Sequence, residues 1–307
     1  MDFLYLLESI RFPALDKLML LVTHLGEETA FLVIALIVFW CVDKYHGYYM
    51  LGVGLLGNLL NQFMKITCRI PRPWVRDPDF TVVEAAKAEA GGYSFPSGHT
   101  QTAVGTFGAV ALTQKRKWLG AICIVLAALT AFSRMYLGVH TPTDVLIGAA
   151  MALALVFGLK PLMLGKRKQC IPIAFGIMLA LSAGFLAYLK VYPFPVDLDA
   201  DNYASAVKNA YTFLGCFAGV LVVYAVDESK LHFTPKAVWW AQILKAVLGL
   251  GVVLLVKEGL RSPLEGIFGD IMIARAVRYF LIVVVAGIVW PLSFHWFSKL
   301  GRKERES

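Results

Sequence analysis

The sequence predicts an all-α, polytopic helical membrane protein: a six-helix core followed by about four extra C-terminal transmembrane helices. Three observations predict it. Of the 307 residues, 58% are hydrophobic and only 16% charged, with mean hydropathy +0.67, whereas a soluble domain carries about 25% charged residues. Apolar runs near the ~20 residues needed to cross a bilayer recur along the whole chain. The loops between them are mostly short, with 69–97, 191–204 and 257–276 as the exceptions. A soluble globular protein is excluded on these grounds.

Residues 2–10 and 13–26 read as short amphipathic, interfacial helices separated by Pro13. Spans are expected at about 28–43, 46–68, 98–114, 118–137, 142–160, 169–190, 205–226, 236–256 and 277–297. Residues 1–160 then form one part, which carries every polar motif. Residues 161–307 form a second, which adds transmembrane helices and no motif. Met1 to Leu7 lack a basic region ahead of the apolar run, so the N-terminus is expected to be retained. Cys41, Cys68, Cys123, Cys170 and Cys216 are scattered without metal-ligand spacing. They read as free buried thiols rather than a disulfide framework or zinc site.

The net charge of +8 suits basic cytoplasmic loops better than a nucleic-acid partner. Lys and Arg divide evenly between the two sets of loops, so the dense clusters decide the orientation. Lys115-Arg116-Lys117 and Lys166-Arg167-Lys168 place their loops and the C-terminus inside. Asp197, Asp199 and Asp201 lie on the opposite, outer side.

Three polar clusters interrupt the apolar pattern, each at a span end on that outer side. Lys65 is followed, six residues on, by Arg72-Pro73. With Arg69 between, Lys65 and Arg72 fall on one helical face, and Pro71 and Pro73 end the helix. Arginine gives an anion bidentate bonds and lysine a point charge; basic residues snorkelling at a span end have the same appearance. Ser97-Gly98-His99 open the span at 98–114. Ser97 fits an N-cap and Gly98 lets the backbone approach an oxyanion at the positive end of a helix. A plain cap followed by an interfacial histidine would look alike. Ser133-Arg134 is followed by His140 and, one helical turn later, Asp144. That spacing lets a carboxylate orient an imidazole as a nucleophile, though a structural His–Asp pair has the same spacing. The blander readings lose ground together, because all three clusters meet one membrane face in consecutive spans, where ionisable groups are costly.

In order and spacing these clusters resemble the signature of the type 2 phosphatidic acid phosphatase (PAP2) superfamily, in its membrane-integral lipid phosphatase branch. That superfamily also includes vanadium haloperoxidases and glucose-6-phosphatase. The resemblance covers residues 65–144 and matches every signature position. It implies that His140 is the nucleophile forming a phosphohistidine, that Asp144 orients it and that His99 protonates the leaving oxygen. It further implies that Lys65, Arg72, Ser97, Gly98 and Arg134 bind the phosphoryl oxygens, with no metal and no cofactor. The expected activity is hydrolysis of a lipid phosphate or diphosphate of the undecaprenyl diphosphate, phosphatidic acid or phosphatidylglycerophosphate type at the outer face. The expected partners are the lipid phosphate substrate and membrane lipids, with no nucleic acid. A phosphotransferase, a sugar-phosphate phosphatase or a non-catalytic lipid-binding or transport protein are the alternatives. Lys208, Lys245 and Arg278 fall in or near the extra helices, and Lys245, in mid-span, is expected to form an internal salt bridge.

Overall fold

A computed structural model describes residues 1–165, 169–195 and 198–300. Lys166-Arg167-Lys168, Asp197 and the basic residues after Leu300 lie outside the described residues. The helices are α1 (Asp2–Ser9), α2 (Pro13–Thr23), α3 (Glu28–Ile37), α4 (Lys44–Cys68), α5 (Pro73–Arg76), α6 (Glu84–Glu89), α7 (Gly98–Thr113), α8 (Lys117–Tyr136) and α9 (Pro142–Met163). They continue as α10 (Cys170–Val191), α11 (Ala200–Val226), α12 (Trp239–Gly259), α13 (Arg261–Phe268), α14 (Ile271–Val284) and α15 (Phe294–Phe297). The all-α architecture expected from the sequence is the one found.

Six helices among the described residues, α8 to α12 and the stretch Ile271–Phe297, are long and apolar enough to cross a membrane. The expected spans at 46–68 and 98–114 are helices too, α4 and α7, but do not share that character. α7 has 16 residues, about 24 Å at 1.5 Å per residue, and buries Thr100, Gln101, Thr102 and Thr106. α4 buries Asn58 and Asn61. Their polar faces look into protein, which satisfies Asn58 through Thr102 Oγ1 at 3.3 Å and Asn61 through the Pro96 carbonyl at 3.3 Å. The expected span at 28–43 is the second arm of a helix pair, Pro13–Gly26 and Glu28–Val42, bent by 52°.

The chain divides into two compact units. The first comprises residues 1–32, 50–160 and 194–206. Here α7 packs along α8, and α1 and α2 pack against α8. Met19 of α2 shares a core with Ala86 and Ala90 of the 69–97 segment and with Tyr136, Leu137 and Val139. Arg11 ties this layer down, donating from Nε to the Tyr136 carbonyl at 2.9 Å and from Nη1 to the Thr81 carbonyl at 2.8 Å. Tyr136 donates to Asp16 at 2.8 Å. The short N-terminal helices therefore cap the end of α8 from which the third motif departs.

The second unit comprises residues 33–49, 161–193 and 207–307. Its core is aromatic, with Phe39 edge-on to Tyr48 and to Phe233. Lys44 pairs with the buried Asp227 at 2.6 Å. Lys245 is buried, but its partners differ from the expected carboxylate. Nζ donates to the Pro235 carbonyl at 2.9 Å and stands 4.3 Å from the Phe294 ring centre. A carbonyl and a π face satisfy an ammonium with no second ion to desolvate. The cysteines are free, as expected. Burial holds only for Cys123 and Cys216; Cys41 and Cys170 are half-buried and Cys68, at the end of α4, is exposed.

Candidate active site

α4 ends at Cys68, and Arg69 takes a left-handed conformation with φ +52°. The cationic stripe expected along one helical face is thus broken before Arg72. Held between two prolines, Arg72 instead occupies an extended position at the N-cap of α5. There it is buried, and its guanidinium is heavily engaged. Nε donates to the Gly92 carbonyl at 2.9 Å, Nη2 to the Gly91 carbonyl at 2.7 Å and Nη1 to the Val139 carbonyl at 2.9 Å. Nη1 also lies 3.0 Å from His140 Nε2. Gly91 and Gly92 were not distinguished in the sequence, because carbonyls that hold an arginine leave no mark on residue type.

Ser97 is the N-cap of α7, as its position suggested, and its hydroxyl accepts from Thr100 N at 3.4 Å. The third motif fixes this turn: Ser97 N donates to the Asp144 carbonyl at 3.0 Å. Gly148 makes the approach possible, since a Cβ there would stand 2.7 Å from the Ser97 carbonyl oxygen.

His140 and Asp144 are 1% and 2% exposed. The two are joined less directly than their spacing suggests. His140 precedes α9, which begins at Pro142, and Nδ1 stands 3.6 Å from Asp144 Oδ2. Oδ2 takes shorter bonds from Thr141 N at 2.7 Å and from Ser94 Oγ at 2.6 Å. Ser94 Oγ also lies 3.4 Å from His140 Nδ1. Ser94, fully buried, is a site residue that motif reading missed. Its only sequence signal is a serine three residues before Ser97. Burial, and then the nearby Arg72, Arg134 and Lys65, holds the His140 pKa well below the usual imidazole value.

Arg134 is 1% exposed and donates from Nη1 to Thr23 Oγ1 at 2.6 Å. Thr23, at the end of α2, was also missed, because the sequence offers no reason to bring residue 23 to residue 134. Lys65 and His99 complete the group. Lys65 stands in electrostatic reach of Arg72, Arg134 and Asp144, and His99 in reach of Arg134, Lys65 and Arg72. All eight residues singled out from the sequence therefore meet in the first unit. Three cations surround two imidazoles, a helix N-terminus opens beside them, and one imidazole is backed by a carboxylate. Such a group can neutralise a phosphate while presenting it with a nucleophile and a proton carrier.

Comparison with known proteins agrees. Residues 45–168 match the PAP2 superfamily, and residues 211–303 match the PAP2 superfamily phosphatase, transmembrane extension. The chain is 33% identical over 166 residues to phosphatidylglycerophosphatase B of Bacillus subtilis (strain 168), across 49% of this chain and 76% of that protein. It is 30% identical over 148 residues to undecaprenyl-diphosphatase BcrC of the same organism, across 47% of this chain and 72% of that protein. A longer stretch of 254 residues is 25% identical to sphingosine-1-phosphate phosphatase 1 of Mus musculus, across 77% of this chain and 57% of that protein. No solved structure matches at the same stringency. With both its motif-bearing part and its C-terminal helices accounted for, the chain belongs to the PAP2 superfamily of membrane phosphatases.

Proposed function

We propose that this protein hydrolyses a lipid phosphate or diphosphate through a phosphohistidine, without a metal ion, at the outer face of the cell membrane. The observation that carries the reading is the convergence of Arg72, His140, Ser94 and Asp144 in one buried hydrogen-bonded chain. The named activities of the relatives, all on lipid phosphates, support the substrate class. Lys65, Arg72, Arg134 and the N-terminus of α7 at Ser97 and Gly98 hold the phosphoryl oxygens. His140 Nε2 attacks the terminal phosphorus and its bond to the leaving oxygen breaks, an ester bond in a monophosphate and the anhydride bond in a diphosphate. His99 delivers a proton to the departing oxygen. Water then attacks the phosphohistidine, His99 takes its proton, and inorganic phosphate leaves with neutral His140 restored.

The positive charge needed by the transition state comes from side chains, so activity survives chelation. The exposed basic loop at Lys115-Arg116-Lys117 supports placing the site on the opposite, outer side. Residues 1–160 act as the phosphatase core and 161–307 as additional transmembrane helices; the two family matches, 45–168 and 211–303, follow in that order along the chain.

The test is phosphate release from a panel of lipid phosphates by purified protein, with EDTA throughout and orthovanadate as inhibitor. Turnover in EDTA, and inhibition by vanadate as a mimic of five-coordinate phosphorus, are expected. Activity that returns only on adding Mg²⁺ to chelated and washed protein overturns the metal-free mechanism.

A further inference from the structure

We propose that Arg275 and Arg278 of α14, beside Thr212 and Lys208 of α11, form a binding site for the phosphate of an anionic phospholipid headgroup. The site lies within the second unit, goes beyond the phosphatase reading and does not depend on it.

The charge pattern sets this corner at a membrane surface. The stretches Ala200–Leu231 and Ile271–Phe297 are both long and apolar enough to cross a bilayer. Lys208 and Arg278 are the last charged residues before uncharged runs at 209–226 and 279–294. A last charge before such a run reaches headgroup level, where tyrosine is also favoured. Tyr211 and Tyr279 open the two runs.

The packing of α11 on α14 gathers the cations. The two backbones come together at Gly215, where a Cβ would stand 2.2 Å from the Ala276 carbonyl oxygen, and at Gly219, where one would stand 2.8 Å from Val283 Cβ. One turn before Gly215, Thr212 Oγ1 accepts from Arg275 Nε at 2.7 Å and donates to the Lys208 carbonyl at 3.0 Å. The guanidinium carbons of Arg275 and Arg278 lie 5.1 and 5.5 Å from the centre of the Tyr279 ring. Two cations thus share one ring, and like charges this close along a helix repel.

Arg278 points to a ligand most directly. Its Nε is buried and has no hydrogen-bond partner among the described residues. The carboxylates of residues 257–276 are engaged elsewhere. Glu258 pairs with Lys257 at 3.7 Å and Glu265 with Arg261 at 3.4 Å, while Asp270 caps α14 through Met272 N and Ile273 N. A buried charged donor without an acceptor is costly. A phosphate oxygen supplies the acceptor and the countercharge together, and a guanidinium fork fits a phosphate with two bonds. With those carboxylates committed, they offer no partner to the ammonium of a zwitterionic headgroup. The site therefore prefers a headgroup of net negative charge.

The experiment uses the full chain in a non-ionic detergent, titrated with dioleoyl phosphatidylglycerol or dioleoyl phosphatidylcholine, with bound lipid counted by native mass spectrometry. Wild type is compared with Arg278→Gln, Arg278→Lys and, as a control of equal charge change, Lys257→Gln. Wild type should bind its first phosphatidylglycerol more tightly than phosphatidylcholine. Arg278→Gln should weaken that binding about tenfold, the scale of a hydrogen bond to a charged group, and Lys257→Gln by less than twofold. Arg278→Lys keeps the charge and loses the fork, so it should recover only part of the affinity; if Arg278→Gln does not fold, this variant decides the question alone. Equal affinity in wild type and Arg278→Lys, or equal weakening by Arg278→Gln and Lys257→Gln, overturns the site in favour of dispersed surface charge. Equal binding of the two lipids by wild type overturns the anionic preference. Inorganic phosphate that displaces phosphatidylglycerol from wild type at equal concentration makes this a free-anion site and overturns the lipid assignment.

Discussion

Arg72 Nη1 stands 3.0 Å from His140 Nε2, and this contact fixes the tautomer of the proposed nucleophile. A guanidinium only donates, so Nε2 must hold its lone pair and the ring proton must sit on Nδ1, facing Ser94 and Asp144. Burial and the surrounding cations keep the ring neutral. At rest, therefore, His140 holds the tautomer that the proposed attack needs, with Arg72 against Nε2. A phosphoryl oxygen that takes the Nη1 donor uncovers Nε2 and places phosphorus beside it.

Arg72→Lys should remove this arrangement while keeping the charge. A lysine has no planar fork to reach the Gly91, Gly92 and Val139 carbonyls together with the imidazole. We expect kcat/KM to fall by about a hundredfold or more, since several charge-assisted bonds are lost at once. Steady-state kinetics on any accepted lipid phosphate measures this. A fall of threefold or less would mean that charge alone suffices.

Ser94→Ala tests the indirect link between His140 and Asp144. The hydroxyl donates to Asp144 at 2.6 Å and offers its lone pair toward Nδ1. Its loss should lower kcat about tenfold, on the scale of one buried hydrogen bond to a charged group. Because the two residues act through one chain, Ser94→Ala combined with Asp144→Asn should lose less than the product of the separate effects. Full multiplication of the two losses would show that Ser94 is independent of the nucleophile.

The two histidines should fail differently. His140→Ala should abolish all turnover and any acid-labile phospho-enzyme. His99→Ala should still bind substrate and should suffer less on an aryl phosphate, whose leaving oxygen needs little protonation. Rapid-quench trapping together with aryl and alkyl phosphate assays separates them. Equal losses for His99→Ala on both substrates, with phosphate still trapped on His140→Ala, would exchange the roles.

The orientation is checked at Ala88, which is exposed on α6 in the segment bearing the site. A cysteine placed there, in a background lacking the five native cysteines, should react with an impermeant thiol reagent in intact cells. Labelling only after lysis would place the site and its substrate on the inner side.

The sequence by itself determined the fold class and the chemical groups of the site. Apolar length reports on lipid contact, so α8 to α12 and the last span were legible as runs. The motifs were legible because the proposed phosphate chemistry calls for particular residue types at Lys65, Arg72, Ser97, Gly98, His99, Arg134, His140 and Asp144. Tertiary structure decided what depends on distant segments meeting. Ser94 and Thr23 matter only because folding brings them to Asp144 and Arg134, 50 and 111 residues away. The helical stripe from Lys65 to Arg72 ended at Arg69, because two prolines and the carbonyls awaiting the guanidinium outweigh helix continuation. Lys245 found a carbonyl and an aromatic face instead of a carboxylate. Residue type sets what a side chain can do, and only packing sets which partner stands within 3 Å of it.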